Sequence, residues 1–368
     1  MGPFSRYRRF EGLSEEEVNA GLREEARERR ARALARVDPL DCSRTTSPHL
    51  PPAEVVSAIT YAARRGLHRY SEGRDGALRD ALARRHAVDA ARIVVGEGAS
   101  GLLQRAAHEL LDEEDEVVLP WPGYPLYPML VRDAGATPVP VPSLDPGDLL
   151  AAVTPRTRMV LIGGPHDPTG ELLSATTVEA LIQRLPERVL LVVDEALREF
   201  VDAESVDAVL RLTDRWERLI VVRSFSKAWG LAGLRCGYAV GGPSDPGRLR
   251  GLAPRLGIGD LALAGALAAV TTSGSRLDGR VRAVAAQRRT LTARLRAAGL
   301  LVTDAQGPTL WARAPGIDAG ALTARMAEAT VIVQSGAPLG DHHHVRITVG
   351  DDAATERIVR AATAALAR

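Results

Sequence analysis

The sequence has 368 residues, of which 45% are hydrophobic and 25% charged, and its formal net charge is +1. A chain of this length is too long to fold around one hydrophobic core of ordinary size, so a soluble globular protein of two domains is predicted. The small net charge gives no reason to expect nucleic acid or a membrane as a partner. The longest apolar-rich run, residues 261–270, is too short to cross a bilayer, and residues 1–6 lack the apolar centre of a signal peptide. We therefore expect a cytoplasmic protein. Cys42 and Cys236 lie far apart, so each is expected as a small buried residue and not as part of a disulfide framework.

The first predicted element is a helix from Ser14 to about residue 36, because Ser14 and Glu17 have the spacing of a capping box. Further along, apolar segments alternate with helix-like stretches, and several of these segments are apolar throughout, as strands covered on both faces are. The alternation predicts a mostly parallel α/β sheet. Its strands are expected near residues 92–95, 116–119, 137–141, 158–162, 189–193, 218–223 and 237–241.

A glycine-rich motif, Gly-Glu-Gly-Ala-Ser-Gly at residues 96–101, follows the first of these strands and opens a helix. It matches the dinucleotide-binding fingerprint, but that interpretation needs an acidic residue at the end of the next strand. Pro120-Trp121-Pro122 stands there instead, which disfavours a dinucleotide. Glycines at a helix N-terminus still allow backbone N–H groups to approach a phosphate, so Gly98, Ala99 and Ser100 are candidates for binding one.

Lys227 is the only lysine in the chain, and the other 46 of the 47 basic residues are arginine. A guanidinium cannot form a Schiff base, so this lysine indicates a position that needs an amine, unless it merely survived in an arginine-biased composition. Ser224 and Ser226 precede it and Arg235 follows. Hydroxyls and a guanidinium suit a phosphate while the lysine bonds a carbonyl carbon, so a phosphorylated aldehyde is predicted as the cofactor.

Residues 224–238 read Ser-Phe-Ser-Lys-Ala-Trp-Gly-Leu-Ala-Gly-Leu-Arg-Cys-Gly-Tyr. This segment resembles the pyridoxal-phosphate segment of class I/II aminotransferases of fold type I, and most of all the histidinol-phosphate-aminotransferase-like group. The resemblance extends over roughly residues 40–350. It implies pyridoxal 5′-phosphate held on Lys227 as a Schiff base (an aldimine), and a seven-stranded, mostly parallel sheet in a large domain beside a smaller α+β domain. It also implies a homodimer whose active sites lie at the interface.

The same resemblance implies roles for single residues. Asp194, in the Val-Val-Asp-Glu-Ala of residues 192–196, would pair with the pyridinium nitrogen and keep the ring an electron sink. Tyr124 would stack on the ring, whereas Trp121 and Tyr127 are expected in the core. Tyr70 would reach the cofactor phosphate of the neighbouring subunit. The residues implied to hold the cofactor phosphate within the subunit are Gly98, Ala99, Ser100, Ser224, Ser226 and Arg235.

Arg346, in the Val-Arg-Ile-Thr-Val-Gly of residues 345–350, would bind the substrate α-carboxylate through a bidentate fork. Gln334 stands where relatives that bind phosphorylated substrates have an arginine, which argues against histidinol phosphate. The adjacent histidines 342–344 could be metal ligands, but neighbouring side chains on an extended segment point to opposite faces. No metal site is predicted.

The sequence departs from the family pattern in three segments. Asp167, in the Gly-Pro-His-Asp-Pro-Thr-Gly of residues 164–170, replaces an asparagine that donates to the 3′ oxygen of the cofactor. An ionised aspartate only accepts, and it would face a phenolate. Leu197 stands where the family often has tyrosine or phenylalanine. Thr-Thr-Ser-Pro at residues 45–48 replaces Asn-Glu-Asn-Pro, so those substrate contacts are not carried over.

A cluster of turn residues near 244–247 predicts a domain boundary. We expect an N-terminal helix and arm over residues 1–50, packed with the small domain, a large cofactor-binding domain over 51–243 and a small domain over 244–368. Strands are predicted near residues 309–313, 331–334 and 345–349, and Asp351 or Asp352 is predicted to cap the last helix.

These observations predict a pyridoxal-phosphate-dependent aminotransferase acting on an amino acid with a free α-carboxylate, with Lys227 as general base and acid. Fold and chemistry are separate claims, because the same site can support decarboxylation, elimination, cyclisation or oxidation. Asp167 and Leu197 leave these alternatives open. A non-catalytic cofactor-binding protein is a further alternative, against which the single retained lysine argues.

Overall fold

The structure is a computed structural model that describes residues 14–34, 38–47, 49–71, 74–243 and 246–367. The N-terminal arm, Pro48 and the turn residues Ser244 and Asp245, which the sequence predicts as a domain boundary, lie outside the described residues. The helices of the described part are α1 (Glu15–Leu34), α2 (Ala53–Gly66), α3 (Gly76–His86), α4 (Gly98–Leu110), α5 (Leu126–Asp133), α6 (Pro146–Ala151), α7 (Ala175–Arg184), α8 (Pro246–Gly251), α9 (Asp260–Thr272), α10 (Gly274–Ala297), α11 (Ala319–Glu328) and α12 (Asp352–Leu366). The strands are β1 (Leu40–Asp41), β2 (Ile93–Gly96), β3 (Glu116–Pro120), β4 (Thr137–Val141), β5 (Thr157–Gly163), β6 (Leu190–Asp194), β7 (Leu219–Ser224), β8 (Gly237–Val240), β9 (Leu301–Val302), β10 (Thr309–Arg313), β11 (Val331–Ile332), β12 (Gln334–Ser335) and β13 (His344–Thr348).

The larger sheet has seven strands in the order β2-β8-β7-β6-β5-β3-β4. The strands from β7 to β4 pair in parallel, whereas β8 runs antiparallel to both of its neighbours. The predicted mostly parallel sheet is therefore confirmed. Its central strands are apolar throughout because both faces are covered: Val192 packs in the cluster beneath α4 and α5, and Val193 packs in the cluster beneath α6 and α7.

A second sheet of four antiparallel strands, β12-β13-β10-β9, packs with α10, α11 and α12 around its own core. Strand β1 is parallel to β11, and Cys42 just after it belongs to the same core. Both cysteines are buried and free, as expected.

The hydrophobic clusters divide the chain later than the predicted boundary at 243/244. Residues 258–277, including α9, pack against α2 and α3 in the cluster of the large sheet. Leu291 and Leu295, near the end of α10, belong instead to the core of the small sheet. The domain limits stay a prediction, and this packing favours a division within α10, which contributes side chains to both cores.

Two helix starts follow the capping patterns of the sequence. The Ser14 N–H donates to Glu17 Oε2 at 2.8 Å and the Glu17 N–H donates to Ser14 Oγ at 3.3 Å, which is the reciprocal capping box. At α12 the cap is Asp351, whose Oδ1 accepts from the Ala354 N–H at 2.8 Å.

The parallel strands place their carboxyl ends at one edge of the large sheet, where ligands bind in such folds. Asp194 ends β6, Ser224 ends β7, and residues 164–170 follow β5. No helix of the described ranges has the length and apolar composition needed to cross a bilayer. The cytoplasmic location expected from the sequence stays a prediction.

Candidate active site

A cavity at the carboxyl ends of the strands brings together most of the residues singled out in the sequence. It is lined by Ala99, Ser100, Tyr124, Asp167, Asp194, Ser224, Ser226, Lys227 and Arg235. Three predicted site residues, Gly98, Arg346 and Tyr70, do not line it directly. Gly98 and Arg346 contact residues that do, whereas the Tyr70 side chain is 78% exposed to solvent.

Lys227 projects into this cavity from the loop after β7. The Ser226 N–H donates to Ser224 Oγ at 3.0 Å, which tightens the turn that follows the strand. The Lys227 ammonium donates to the Thr45 carbonyl oxygen at 3.1 Å. Burial lowers the pKa of Lys227, so this amine loses its proton more readily than an exposed one. A partly desolvated amine of this kind can act as a nucleophile and as a base.

A cluster of donors at the other side of the cavity is suited to an anion. Arg235, held at a φ of 50° by the turn before β8, donates to Ser226 Oγ at 3.2 Å and to Ser100 Oγ at 3.0 Å. Within the described part of the chain Arg235 has no carboxylate partner. Gly98 has a φ of +77°, and a Cβ built there would lie 3.0 Å from Arg235 Nη2. The absence of a side chain keeps the N-terminus of α4 open toward this guanidinium, as phosphate sites require.

Asp194 is a buried carboxylate that faces the same cavity. Its Oδ1 accepts from the Ala196 N–H and its Oδ2 from the Tyr127 hydroxyl, both at 2.9 Å. Burial raises the pKa of Asp194, and these two bonds only partly oppose the shift. A buried carboxylate is stabilised by a cation at hydrogen-bonding distance, and a protonated ring nitrogen is such a cation. The donor cluster and this carboxylate together fit the predicted phosphorylated pyridine aldehyde.

Tyr127 is a site residue that the sequence interpretation missed. It was predicted as core, and its side chain is indeed buried, yet its hydroxyl is a direct partner of Asp194 and lines the cavity. Its ring meets that of Tyr124 edge to face, with centroids 5.5 Å apart. Tyr124 also lines the cavity. Its stacking on a flat cofactor stays a prediction.

Arg346 and Asp167 form an ion pair with each other, which the sequence did not indicate. Arg346 Nη1 lies 2.8 Å and 2.9 Å from the two Asp167 oxygens, and its Nη2 donates to the Ser43 carbonyl oxygen at 3.0 Å. The expected partners were the substrate carboxylate for Arg346 and the 3′ oxygen of the cofactor for Asp167. Both roles stay predictions. A substrate carboxylate that bound Arg346 would have to compete with Asp167 for the guanidinium.

Replacing Asp167 with asparagine should therefore strengthen the binding of a monocarboxylate such as 3-phenylpropionate about tenfold, because a charged hydrogen-bonding competitor is removed from Arg346. Isothermal titration calorimetry of the cofactor-loaded protein measures this affinity. Asp167→Glu, which keeps the charge, is the matched control and should not gain affinity. Equal binding by the wild type and Asp167→Asn would show that the ion pair does not limit access to Arg346.

A second cavity, here called the side cavity, also borders Lys227. It is lined by Thr45, Thr46, Ser47, His49, Phe200, Lys227, Arg280, Val284, Pro308, Thr348 and Val349. Thr45, Thr46 and Lys227 belong to both cavities, so the two spaces meet at the lysine. Leu197, where the family often has an aromatic residue, is buried in the wall of the first cavity and offers no donor there.

A buried ion network behind the site was not foreseen from the sequence either. Arg223 donates to Glu195 Oε2 at 2.8 Å and to Asp207 Oδ1 at 2.8 Å, and Arg198 Nε lies 3.5 Å from Glu195 Oε1. Although burial opposes it, the carboxylates around Arg223 raise its pKa, so this guanidinium stays charged. Glu195 directly follows Asp194 and Arg223 directly precedes Ser224, so the pair fixes the two strand ends that carry the site.

Of the three adjacent histidines, His344 begins β13, whereas His342 and His343 lie in the bend before it. His344 stacks on Trp311 with ring centroids 5.1 Å apart and pairs with Asp341 at 2.8 Å. In the ranges that the structure describes, no group of three or more His, Cys, Asp or Glu is placed to hold a metal ion.

Comparisons with known proteins agree with this geometry. The profile of the family described as aminotransferase class I and II matches residues 42–361. An aromatic amino acid aminotransferase of Corynebacterium efficiens is 35% identical over 328 residues, which are 88% of this chain and 91% of that protein. Another protein of that name, from Thermobifida fusca, is 36% identical over 313 residues, covering 84% of this chain and 85% of its own.

Two solved structures are similar over nearly the whole chain. Histidinol-phosphate aminotransferase from Sinorhizobium meliloti, in complex with pyridoxal-5′-phosphate, has a TM-score of 0.80 and 28% identity, covering 92% of this chain and 94% of its own. Aspartate aminotransferase from Thermus thermophilus with maleate has a TM-score of 0.79 and 25% identity, covering 93% of this chain and 95% of its own.

Proposed function

Since this chain belongs to the class I and II aminotransferase family and is a pyridoxal-phosphate-dependent aminotransferase, we propose that its substrates are aromatic amino acids and the corresponding 2-oxo acids. The relatives of that name support this substrate class. The walls of the side cavity support it too, because Phe200, Val284, Pro308 and Val349 place apolar surface beside Lys227. Apolar walls of this kind accommodate an aromatic ring.

The cofactor supplies an aldehyde that condenses with amines and a ring that withdraws electrons from the substrate Cα. Lys227 Nζ would take the proton that Cα loses and deliver it to the former aldehyde carbon of the cofactor, and would move it back in the reverse half-reaction. Its lowered pKa suits it to both steps. Asp194 holds the proton on the ring nitrogen. Arg235, Ser100, Ser226 and the N-terminus of α4 hold the phosphate.

The substrate class is tested with purified, cofactor-loaded enzyme and a panel of single amino acids. Phenylalanine, tyrosine and tryptophan should bleach the visible absorption band fastest and release their 2-oxo acids, and aliphatic amino acids should react more slowly. Release of carbon dioxide, ammonia or peroxide in place of an oxo acid would contradict transamination. A preference for small or branched aliphatic amino acids would contradict the aromatic substrate class.

We propose in addition that two copies of the chain share their active sites. Tyr70 is 78% exposed and lies outside the cavity of its own subunit, so it is free to reach a neighbouring one. Val56, Tyr61 and Leu67, on α2 and just after it, are large apolar residues that are also exposed. Packing of this helix against a second copy of the chain would remove such side chains from water.

Mixing Tyr70→Phe subunits with Lys227→Ala subunits should restore activity that neither variant has alone. In a two-fold dimer, random exchange leaves roughly a quarter of the sites with both native residues. The measurement is the specific activity after denaturation and joint refolding, with separately refolded variants as the control. A protein that is monomeric and fully active at assay concentration would rule out shared sites.

A further inference from the structure

Trp229 anchors the loop that carries Lys227 in the protein interior. This loop, residues 225–231 and here called the lysine loop, has no regular secondary structure and follows β7. Trp229 is 4% exposed, and its ring lies 5.5 Å from that of Phe225 and 5.0 Å from the Arg85 guanidinium carbon. Lys227 lines the cavity only two residues earlier. A movement of the anchored ring is therefore transmitted to Lys227 through a short stretch of backbone.

The Trp229 indole donates its N–H to a buried carboxyl group, that of Glu199, at 3.2 Å. Glu199 is 7% exposed and lies in the short 3₁₀ helix Arg198–Phe200, in the segment that follows Asp194. Its other oxygen, Oε2, is buried without a hydrogen-bond partner in the ranges that the structure describes. Burial raises the pKa of Glu199, and the nearby Arg223 opposes this shift. A carboxyl buried with so few partners costs folding free energy, so its presence needs an explanation other than stability.

The Glu199–Trp229 bond joins the two segments that carry the central residues of the site. One segment follows β6 and contains Asp194, and the other follows β7 and contains Lys227. The ladder between these strands ends at the register pair Asp194–Val222, so the lysine loop lies beyond the backbone bonds that join them. The bond from the indole to the carboxyl is a cross-link of side chains at that level. It therefore helps to fix the distance between the amine and the carboxylate of the site.

We propose that Glu199 is a positioning residue for Lys227 and acts through the Trp229 indole. With this bond intact, the lysine loop holds the amine where it can move the substrate proton, a step of the proposed function on which the inference rests. Without the bond, the indole N–H has no acceptor, and the loop opens more often and displaces the amine. Glu199 lines neither cavity, so its effect on the reaction is exerted through the loop.

Hydrogen–deuterium exchange of the cofactor-loaded protein measures the opening of the lysine loop. The Gly230 N–H donates to the Lys227 carbonyl oxygen at 3.0 Å, and the Leu231 N–H donates to the Phe225 carbonyl oxygen at 2.9 Å. Exchange at these amides requires the loop to open. Glu199→Leu should raise their exchange rate at least about tenfold, because opening no longer breaks a hydrogen bond to a buried carboxyl. Peptides from the small sheet should exchange as in the wild type.

Two further measurements separate positioning from a general loss of structure. In single-turnover reactions with an amino acid that the wild type transaminates, Glu199→Leu should react at least about tenfold more slowly. Its affinity for 3-phenylpropionate, measured by isothermal titration calorimetry, should change less than about twofold, because the residues proposed to bind carboxylate and phosphate are unchanged. Glu199→Gln keeps an oxygen that accepts from the indole, so its loop exchange and its rate should stay within about threefold of the wild type.

Trp216→Phe is the matched control, because the Trp216 indole also donates to a glutamate, Glu179, at 3.3 Å. Trp216 precedes β7 and so lies at the opposite end of that strand from Lys227. This variant should leave the exchange of the lysine loop and the reaction rate unchanged. Trp229→Phe removes the donor in place of the acceptor and keeps an aromatic ring, so it should reproduce Glu199→Leu. It also serves as the test variant if Glu199→Leu does not fold.

Four results would overturn the proposal. Unchanged loop exchange in both Glu199→Leu and Trp229→Phe would mean that the bond does not hold the loop. Faster loop exchange with an unchanged reaction rate would mean that the bond does not position Lys227. Faster exchange throughout the chain would mean that Glu199 is only structural, and an equal loss in Glu199→Gln would mean that its charge matters and the bond does not. A failure of the proposed aromatic substrate class would show differently, since wild-type enzyme would then fail to react with phenylalanine while loop exchange still reports on Glu199.

Discussion

Replacing Lys227 with alanine should lower turnover by at least about 10³-fold and leave the unfolding temperature nearly unchanged. The amine is half-buried in the cavity and makes one hydrogen bond, to the Thr45 carbonyl oxygen at 3.1 Å, so it contributes little to packing. In the proposed mechanism, its loss removes both the covalent attachment of the cofactor and the base that moves the substrate proton. Turnover is measured as 2-oxo acid release, and stability as thermal unfolding by circular dichroism.

Lys227→Arg is the matched control, because it keeps a positive charge but has no amine that can form a covalent bond. It should be as inactive as Lys227→Ala. Borohydride reduction of the wild type, followed by peptide mapping, should place the cofactor on the peptide that contains Lys227. Activity within a few-fold of the wild type in either variant would remove Lys227 from the reaction.

Replacing Asp194 with asparagine should reduce turnover by about 10²- to 10³-fold, since the buried negative charge that we propose pairs with the ring nitrogen is lost. The amide has the shape of the carboxylate and can still accept a hydrogen bond from the Ala196 N–H, now 2.9 Å from Asp194 Oδ1. Tyr127→Phe is the control: it removes one hydrogen bond to Asp194 but keeps the charge, so it should cost only about tenfold or less. Equal losses of turnover in Asp194→Asn and Tyr127→Phe would show that the negative charge of Asp194 is not needed for the reaction.

For Asp194→Asn we also predict a change in stability that depends on whether the cofactor is bound. Burial raises the pKa of Asp194 in the folded protein above that of an unfolded aspartate. The group therefore favours folding when it is protonated, and this contribution is lost as the pH rises through the folded-state pKa. Above that pH, Asp194→Asn should unfold at a higher temperature than the wild type without cofactor, and this advantage should shrink when cofactor is bound. Unfolding temperatures are measured by circular dichroism. A difference between Asp194→Asn and the wild type that is the same with and without cofactor would contradict the proposed pairing of Asp194 with the ring nitrogen.

The large sheet could be predicted from sequence because its signals are local. Each predicted strand lies within about two residues of an observed one, since continuous apolar runs such as residues 189–193 are distinctive. The strand ends then locate Asp194 and Lys227, because polar residues that follow buried parallel strands collect at one edge. By contrast, β1 (Leu40–Asp41) and β9 (Leu301–Val302) have two residues each and are too short to show a period.

Contacts between distant segments could not be predicted in the same way. Asp167 and Arg346 are 179 residues apart, and both have the residue types that a cofactor or substrate would need, so nothing in the sequence shows that they pair. The sequence predicts Tyr127 as a core residue, and only the position of its hydroxyl reveals Asp194 as its partner.

The solitary lysine at the bottom of the cavity also makes the chain unusual as a protease substrate. A protease specific for lysine has one cleavage site in the sequence, the Lys227–Ala228 bond, and Ala228 is 0% exposed. That bond becomes accessible only when the loop after β7 opens or the whole protein unfolds, so the rate at which two fragments appear reports on these openings. A lysine that carries a reduced cofactor is not cleaved at all. With the cofactor attached to Lys227 as proposed, the borohydride-treated protein can be unfolded and digested to completion, and the fraction of chain that stays intact then equals the fraction of loaded active sites.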